Sequence, residues 1–141
     1  MRPDLTSVLV RSLALGLATG ARSSAGLGAL ALRAPLGLPV GPPARFVPYA
    51  VAGELVADKL PSTPSRLQPP VLGSRAVAGG LCGLVVARRA GAPRAVPVVA
   101  GALAAVGASV AGVRWRTAHP GVQAALAEDA VALGLAAVAS R

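Results

Sequence analysis

Five apolar runs separated by short polar stretches organise the chain. The first, Ser12 to Leu32, is interrupted only by Arg22. The second, Ala44 to Leu60, is shorter and carries Glu54, Asp58 and Lys59. Val71 to Ala87, Ala95 to Val113 and Gly121 to Ala139 complete the set. A helix rising about 1.5 Å per residue needs about 20 apolar residues to cross a hydrocarbon layer roughly 30 Å thick. Alternation at period two is absent, and Ala, Leu and Gly dominate, so the runs predict helices and not strands. The expected fold is all-α: a polytopic transmembrane bundle of four to five short Ala/Gly-rich helices. Residues 1–141 form a single integral membrane domain, placed as a multi-pass protein in the inner (plasma) membrane.

The breaks between runs follow known punctuation. Pro35 to Pro43 is rich in Pro and Gly, and Pro61 to Pro70 reads as a stiff extended loop. Arg88, Arg89 and Arg94 separate the third run from the fourth, and Arg114, Trp115 and Arg116 close the fourth at an interface-like cluster. A rival reading makes the first run a cleaved signal peptide, with Arg2 and Arg11 as its basic region and Ala29-Leu30-Ala31 as the cleavage site. Arg22 and the four long apolar runs that would remain disfavour it. Small residues recur at helix-packing spacing: Gly16 with Gly20, Gly79 with Gly83, Ala108 with Gly112, and Gly121 with Ala125. In lipid such pairs let backbones approach closely. They support a compact bundle and mark no site.

Composition agrees with lipid as the solvent. Apolar residues make up 54% of the chain, aromatic residues 2% and charged residues 13%, the last about half the usual globular share of about 25%. Disorder as the main state is excluded, because disordered chains pair low hydrophobicity with high charge. Cys82 stands alone in an apolar setting and reads as a small packed thiol; His119 stands alone in a turn. Zinc spacing, a Ser-His-Asp set, a nucleophile elbow and a phosphate loop are missing from the sequence, so neither a metal, a cofactor nor an enzyme activity is expected. The net charge of +9 does not imply nucleic acid. The basic residues flank apolar runs, where anionic headgroups explain them, and aromatics for base stacking are lacking.

The scarce acids carry more information. Glu54 and Asp58 are four apart and share one helix face, about 6 Å apart along the axis. Two carboxylates so placed in a membrane helix repel each other, so a cation must sit nearby or one must hold a proton. Arg22, Arg75 and the adjacent Lys59 are the expected partners. Glu128 and Asp129 point about 100° apart, so only one of them can face the same interior. Arg22, Glu54, Asp58, Lys59, Arg75, Glu128 and Asp129 form the candidate intramembrane cluster. Two readings of it stay open. The cluster lines a polar pathway for an ion, a proton or a small charged solute, or it is structural, with Arg22 and Glu54 fixing helix register and Asp58, Lys59 and Arg75 at membrane interfaces.

The centre of the first run, Thr19-Gly20-Ala21-Arg22-Ser23-Ser24-Ala25-Gly26, is a weak helix centre. A continuous helix with Arg22 turned inward is the preferred reading. The alternative is a break at Gly20, Ser23 and Ser24, where Ser23 or Ser24 would cap a second half-helix of the kind transporters use near the midplane.

Three stretches carry a family resemblance: Gly-Leu-Ala-Thr-Gly-Ala-Arg-Ser at 16–23, Glu-Leu-Val-Ala-Asp-Lys-Leu-Pro-Ser-Thr-Pro-Ser-Arg at 54–66, and Glu-Asp at 128–129. They resemble a bacterial membrane-protein family catalogued as domain of unknown function 4126. The matching positions are Gly20, Arg22, Glu54, Asp58, Lys59, Pro61, Glu128 and Asp129. The resemblance implies a small polytopic membrane protein and carries over no catalytic role. The short connection from Arg116 to Gln123 departs from the longer segment of larger members.

Two functions follow from these readings. One is transport or permeation of a small solute or ion through the Arg/Glu/Asp cluster. The other is a non-transporting assembly or regulatory role in the membrane, with the charges structural. The partners expected are the lipid bilayer and, under the first reading, a small ion or solute; a homo-oligomer is open. Basic residues divide almost evenly between the two sides of a five-span chain, so orientation is also open.

Overall fold

The computed structural model describes residues 4–33, 52 and 67–141. Among them the fold is all-helical, with five helices: α1 (Leu5–Ala21), α2 (Ala25–Arg33), α3 (Pro69–Arg89), α4 (Ala95–Ala118) and α5 (Val122–Ala139). The last three are long and apolar enough to cross a membrane, with mean hydropathies of 1.5, 2.0 and 1.5. They lie where the third, fourth and fifth apolar runs predict them. The second expected run, Ala44 to Leu60, lies outside the described residues apart from Ala52.

Local chemistry sets the helix ends. The Asp4 carboxylate accepts the Thr6 N–H at 3.1 Å and caps α1. Pro69 and Pro70 open α3, where a missing N–H costs nothing. At the other end of α3, the Ala92 N–H donates to the Ala87 carbonyl at 2.9 Å and the Gly91 N–H to Arg88 at 3.2 Å. That pair of bonds is a Schellman cap, and it needs the positive φ of 64° that Gly91 adopts. His119 follows α4 and stacks on Trp115 with ring centroids 4.0 Å apart, a structural role for the lone histidine.

Close approaches fix the relative directions. Gly16 lies against Gly101 and Ala104, and Gly20 against Ala105 and Ala108, so α1 and α4 run parallel. Gly79 meets Gly101 and Ala105 while Gly83 meets Pro97, so α3 runs antiparallel to both. Two of the four small-residue pairs read from the sequence therefore converge on one residue, Gly101. A third pair, Ala108 and Gly112, lines a groove between α1, α4 and α5. Gly121 of the fourth faces open space. Helix α5 is antiparallel to α1, since Arg22 meets Asp129 at one end and Arg11 meets Ala139 at the other.

The first apolar run corrects the preferred expectation of a continuous helix. Helix α1 stops at Ala21, Arg22 turns extended at φ −139° and ψ 114°, and α2 begins at Ala25. Helix α2 then folds back along α1. Gly26 sits beside Thr19, Leu15 and Cys82, Leu30 joins Val8, Leu15 and Val85 in one core cluster, and Arg33 reaches Ser140. The two helices form a hairpin that returns the chain to the end of the bundle where α1 begins. The turn lies within the bundle: its contacts Arg75 and Asp129 are six and seven residues into α3 and α5, about 10 Å along the axis.

Side chains inside the bundle are small. Leu15, Leu30, Val85, Val86 and Cys82 fill the main cluster, and Ala18, Ala25 and Ala136 form a second where α2 meets α5. The outward faces are apolar as well: Val77, Val96, Val99, Leu103, Val131 and Val138 are each more than half exposed. Helices apolar all round suit a hydrocarbon environment.

Candidate functional site

The turn between α1 and α2 gathers the buried charge. Ending a helix inside a bundle leaves its last carbonyls without intrahelical partners, a cost of several kcal/mol per group in an apolar medium. Three of these carbonyls, those of Ala18, Gly20 and Ala21, are met by described donors. The Arg22 N–H closes back on the Ala18 carbonyl at 2.8 Å. The Arg75 guanidinium donates through Nη1 to the carbonyls of Gly20 and, at 3.4 Å, Ala21. The Ser109 hydroxyl is shared between the Gly20 carbonyl at 3.1 Å and Ala105 at 2.9 Å. A cation at a helix C-terminus also complements the helix dipole. On the far side of the turn, the Ser24 carbonyl accepts the Gly28 N–H at 2.9 Å, so Ser24 holds the capping position of α2.

The Arg22 side chain leaves the turn toward α5. Its Nε donates to Asp129 Oδ1 at 2.8 Å, and Nη2 reaches the same oxygen. The side chains are 2% and 8% exposed, so the pair is shielded from water. Glu128, the neighbouring acid, turns away and accepts from Arg116 Nε at 2.8 Å, where Arg116 is 30% exposed. Of the two adjacent acids, Asp129 meets Arg22, while Glu128, 10% exposed, points to Arg116 instead.

Arg75 is buried at 4% exposure, which fits its place in the candidate cluster and corrects only the interface position given to it by the structural reading; the described bonds place it on backbone carbonyls. Glu54, Asp58 and Lys59 lie outside the described residues, so their place in the cluster is not described. The helix break lies at Arg22, Ser23 and Ser24, while Gly20 stays within α1 against Ala105 and Ala108.

Sequence reasoning missed that arginines serve the ends of helices other than their own. Arg11 Nε donates to the Ala139 carbonyl at the end of α5 at 2.9 Å, and Arg89 Nη2 to Leu30 near the end of α2 at 3.1 Å. With Arg75 at the end of α1, three helix C-termini are each tied to a neighbour by one guanidinium. The excess of basic over acidic residues was the available signal.

Cys82 is fully buried, with Sγ 3.6 Å from Thr19 Oγ1 and in contact with α2, as a packed thiol should be. Among the described residues no group of three or more His, Cys, Asp or Glu side chains could hold a metal ion. Among the described residues, two larger grooves open on the surface. One, of about 580 Å³, runs between α2 and α5, and one of about 540 Å³ lies between α1, α4 and α5. Neither is lined by Arg22, Arg75 or Asp129. Comparison with known proteins adds no relative: no family model, curated protein or solved structure matches the chain.

Proposed function

We propose that this chain is a multi-pass inner-membrane protein with a non-transporting assembly or regulatory role, in which the buried charges hold a returning α1–α2 hairpin in one register. The observation carrying this reading is the engagement of the buried charges by the protein's own groups. Arg22 is bonded to Asp129, and Arg75 to the carbonyls of Gly20 and Ala21. A solute site needs groups that exchange partners with the solute. Buried ion pairs bring little net stability but penalise every arrangement that separates them, which suits a register lock. The resemblance to the domain of unknown function 4126 is part of the same proposal and adds only a small polytopic membrane protein.

Transport of a small ion or solute is the second reading. It is favoured by the break itself, because half-helix ends inside a bundle are how several transporters bind ions. Proteoliposomes holding the purified chain decide between the two. The structural reading expects flux no greater than that of empty liposomes across a panel of mono- and divalent ions, with Asp129→Asn lowering the stability of the protein. Flux above the empty-liposome level, abolished by Asp129→Asn or Glu54→Gln in a variant that remains folded, establishes the transport reading instead.

A further inference from the structure

The groove between α2 and α5 has a composition that the proposed role does not use. Its walls are Ala25, Gly28, Ala29 and Leu32 on one side, and Leu133, Ala136 and Ala137 on the other. Arg33 and Ser140 close one end, joined by a bond of 3.2 Å from Nε to the hydroxyl. So many small side chains leave a smooth apolar trough of about 580 Å³ with a single cation at its mouth.

The described charge at that end of the bundle is mostly basic. Arg33 is exposed there, and Arg11 lies beside the end of α5. Asp4, the cap of α1, is the one described acid at that end, while Glu128 and Asp129 lie toward the other end of α5 with Arg116 and Arg22. An apolar trough ending in a guanidinium is complementary to an acyl chain joined to a phosphate. Arginine suits the phosphate because its planar fork matches paired oxygens, and basic pockets between helices are where anionic headgroups settle.

We propose that the α2–α5 groove is a binding site for one anionic phospholipid, with an acyl chain along Ala29, Ala136 and Ala137 and the phosphate at Arg33. The lipid occupies the face on which α2 is covered by neither α1 nor α3. It acts on the returning hairpin by bridging it to α5 at the end opposite the Arg22–Asp129 pair.

Native mass spectrometry of the full chain, released from detergent with phosphatidylglycerol or phosphatidylcholine of identical acyl chains, tests the site. The expected result is retention of one phosphatidylglycerol per chain in preference to phosphatidylcholine. Arg33→Gln should reduce that preference about fivefold. Ala137→Trp, which fills the trough and leaves the charges in place, should remove the bound lipid while circular dichroism shows an intact helical protein. Equal retention of the two lipids, retention of neither, or undiminished binding by Ala137→Trp overturns the proposal. A lipid-free dimer that Ala137→Trp dissociates also overturns it, and assigns the groove to a second copy of the chain.

Discussion

The seam joining α1, α3 and α4 and the seam joining the hairpin to α5 are held by different physics. In the first, glycines let backbones touch. A Cβ at Gly20 would fall 2.6 Å from the Ala108 Cβ, and one at Gly83 would fall 2.6 Å from the Pro97 carbonyl carbon. In the second, α5 buries only Asp129, Ala132, Ala136 and Ala139 along its helix, and its firm ties are polar: Arg22 to Asp129, Arg11 to Ala139 and Arg33 to Ser140. Between lipid-immersed helices hydrophobic drive is small, so close contact and hydrogen bonds are the two means of association left. Close contact dominates on one side of α1, supplemented by the bonds of Arg75 and Ser109 to the Gly20 carbonyl, and polar ties dominate on the other. The close-contact seam tolerates no added volume, whereas the polar seam tolerates no unpaired charge.

The largest expected effect follows from breaking the buried pair. Asp129→Ala leaves the Arg22 guanidinium without its carboxylate in a shielded site, and should cost about 3–5 kcal/mol in unfolding by denaturing detergent. Removing both partners, with Arg22→Met and Asp129→Leu together, should recover most of that loss. Full additivity of the two single effects would show that the pair is not the lock. Next comes the glycine seam. Gly20→Ala forces α1 and α4 apart and should cost about 1–3 kcal/mol. Gly107→Ala, where nothing lies within 4 Å, should change stability by no more than about 1 kcal/mol. Equal effects at the two glycines would contradict the close-contact account.

Arg75→Met separates the two kinds of seam within one site. It keeps much of the side-chain volume but removes the donor for Gly20 and Ala21, and should cost about 1–3 kcal/mol. Hydrogen exchange at the end of α1 should rise more than exchange in α4. The smallest effect belongs to Arg116→Ala. That pair with Glu128 is partly exposed and should contribute about 1 kcal/mol or less, declining as salt is added.

Much of the fold was legible because uninterrupted apolar runs have one reading at this length. Helices α3, α4 and α5 lie within a few residues of the runs that predict them, with α4 continuing past Arg114 and Trp115 to Ala118. The hairpin was half legible. Gly20, Arg22, Ser23 and Ser24 mark a weak helix centre, but whether the chain continues or turns back depends on partners distant in sequence. Here those partners are Arg75 and Ser109 on the carbonyls of one half-helix and Asp129 on the side chain of Arg22. Helical geometry points Glu128 and Asp129 apart without saying which meets Arg22, and packing against α1 selects Asp129. That Arg75 reaches the carbonyls of Gly20 and Ala21 was not legible, because a guanidinium bonded to backbone carbonyls has no sequence signature.

The α1–α2 hairpin places Thr6 and Leu32 at one end of the bundle and Gln68, at the start of α3, at the other. Single cysteines introduced as Thr6→Cys, Leu32→Cys and Gln68→Cys in a Cys82→Ser chain can be labelled in sealed vesicles with a membrane-impermeant thiol reagent. The returning hairpin predicts that Thr6→Cys and Leu32→Cys label from one side and Gln68→Cys from the other. Labelling of Thr6→Cys and Leu32→Cys from opposite sides would mean that the run crosses the membrane, contradicting the hairpin and the register lock built on it.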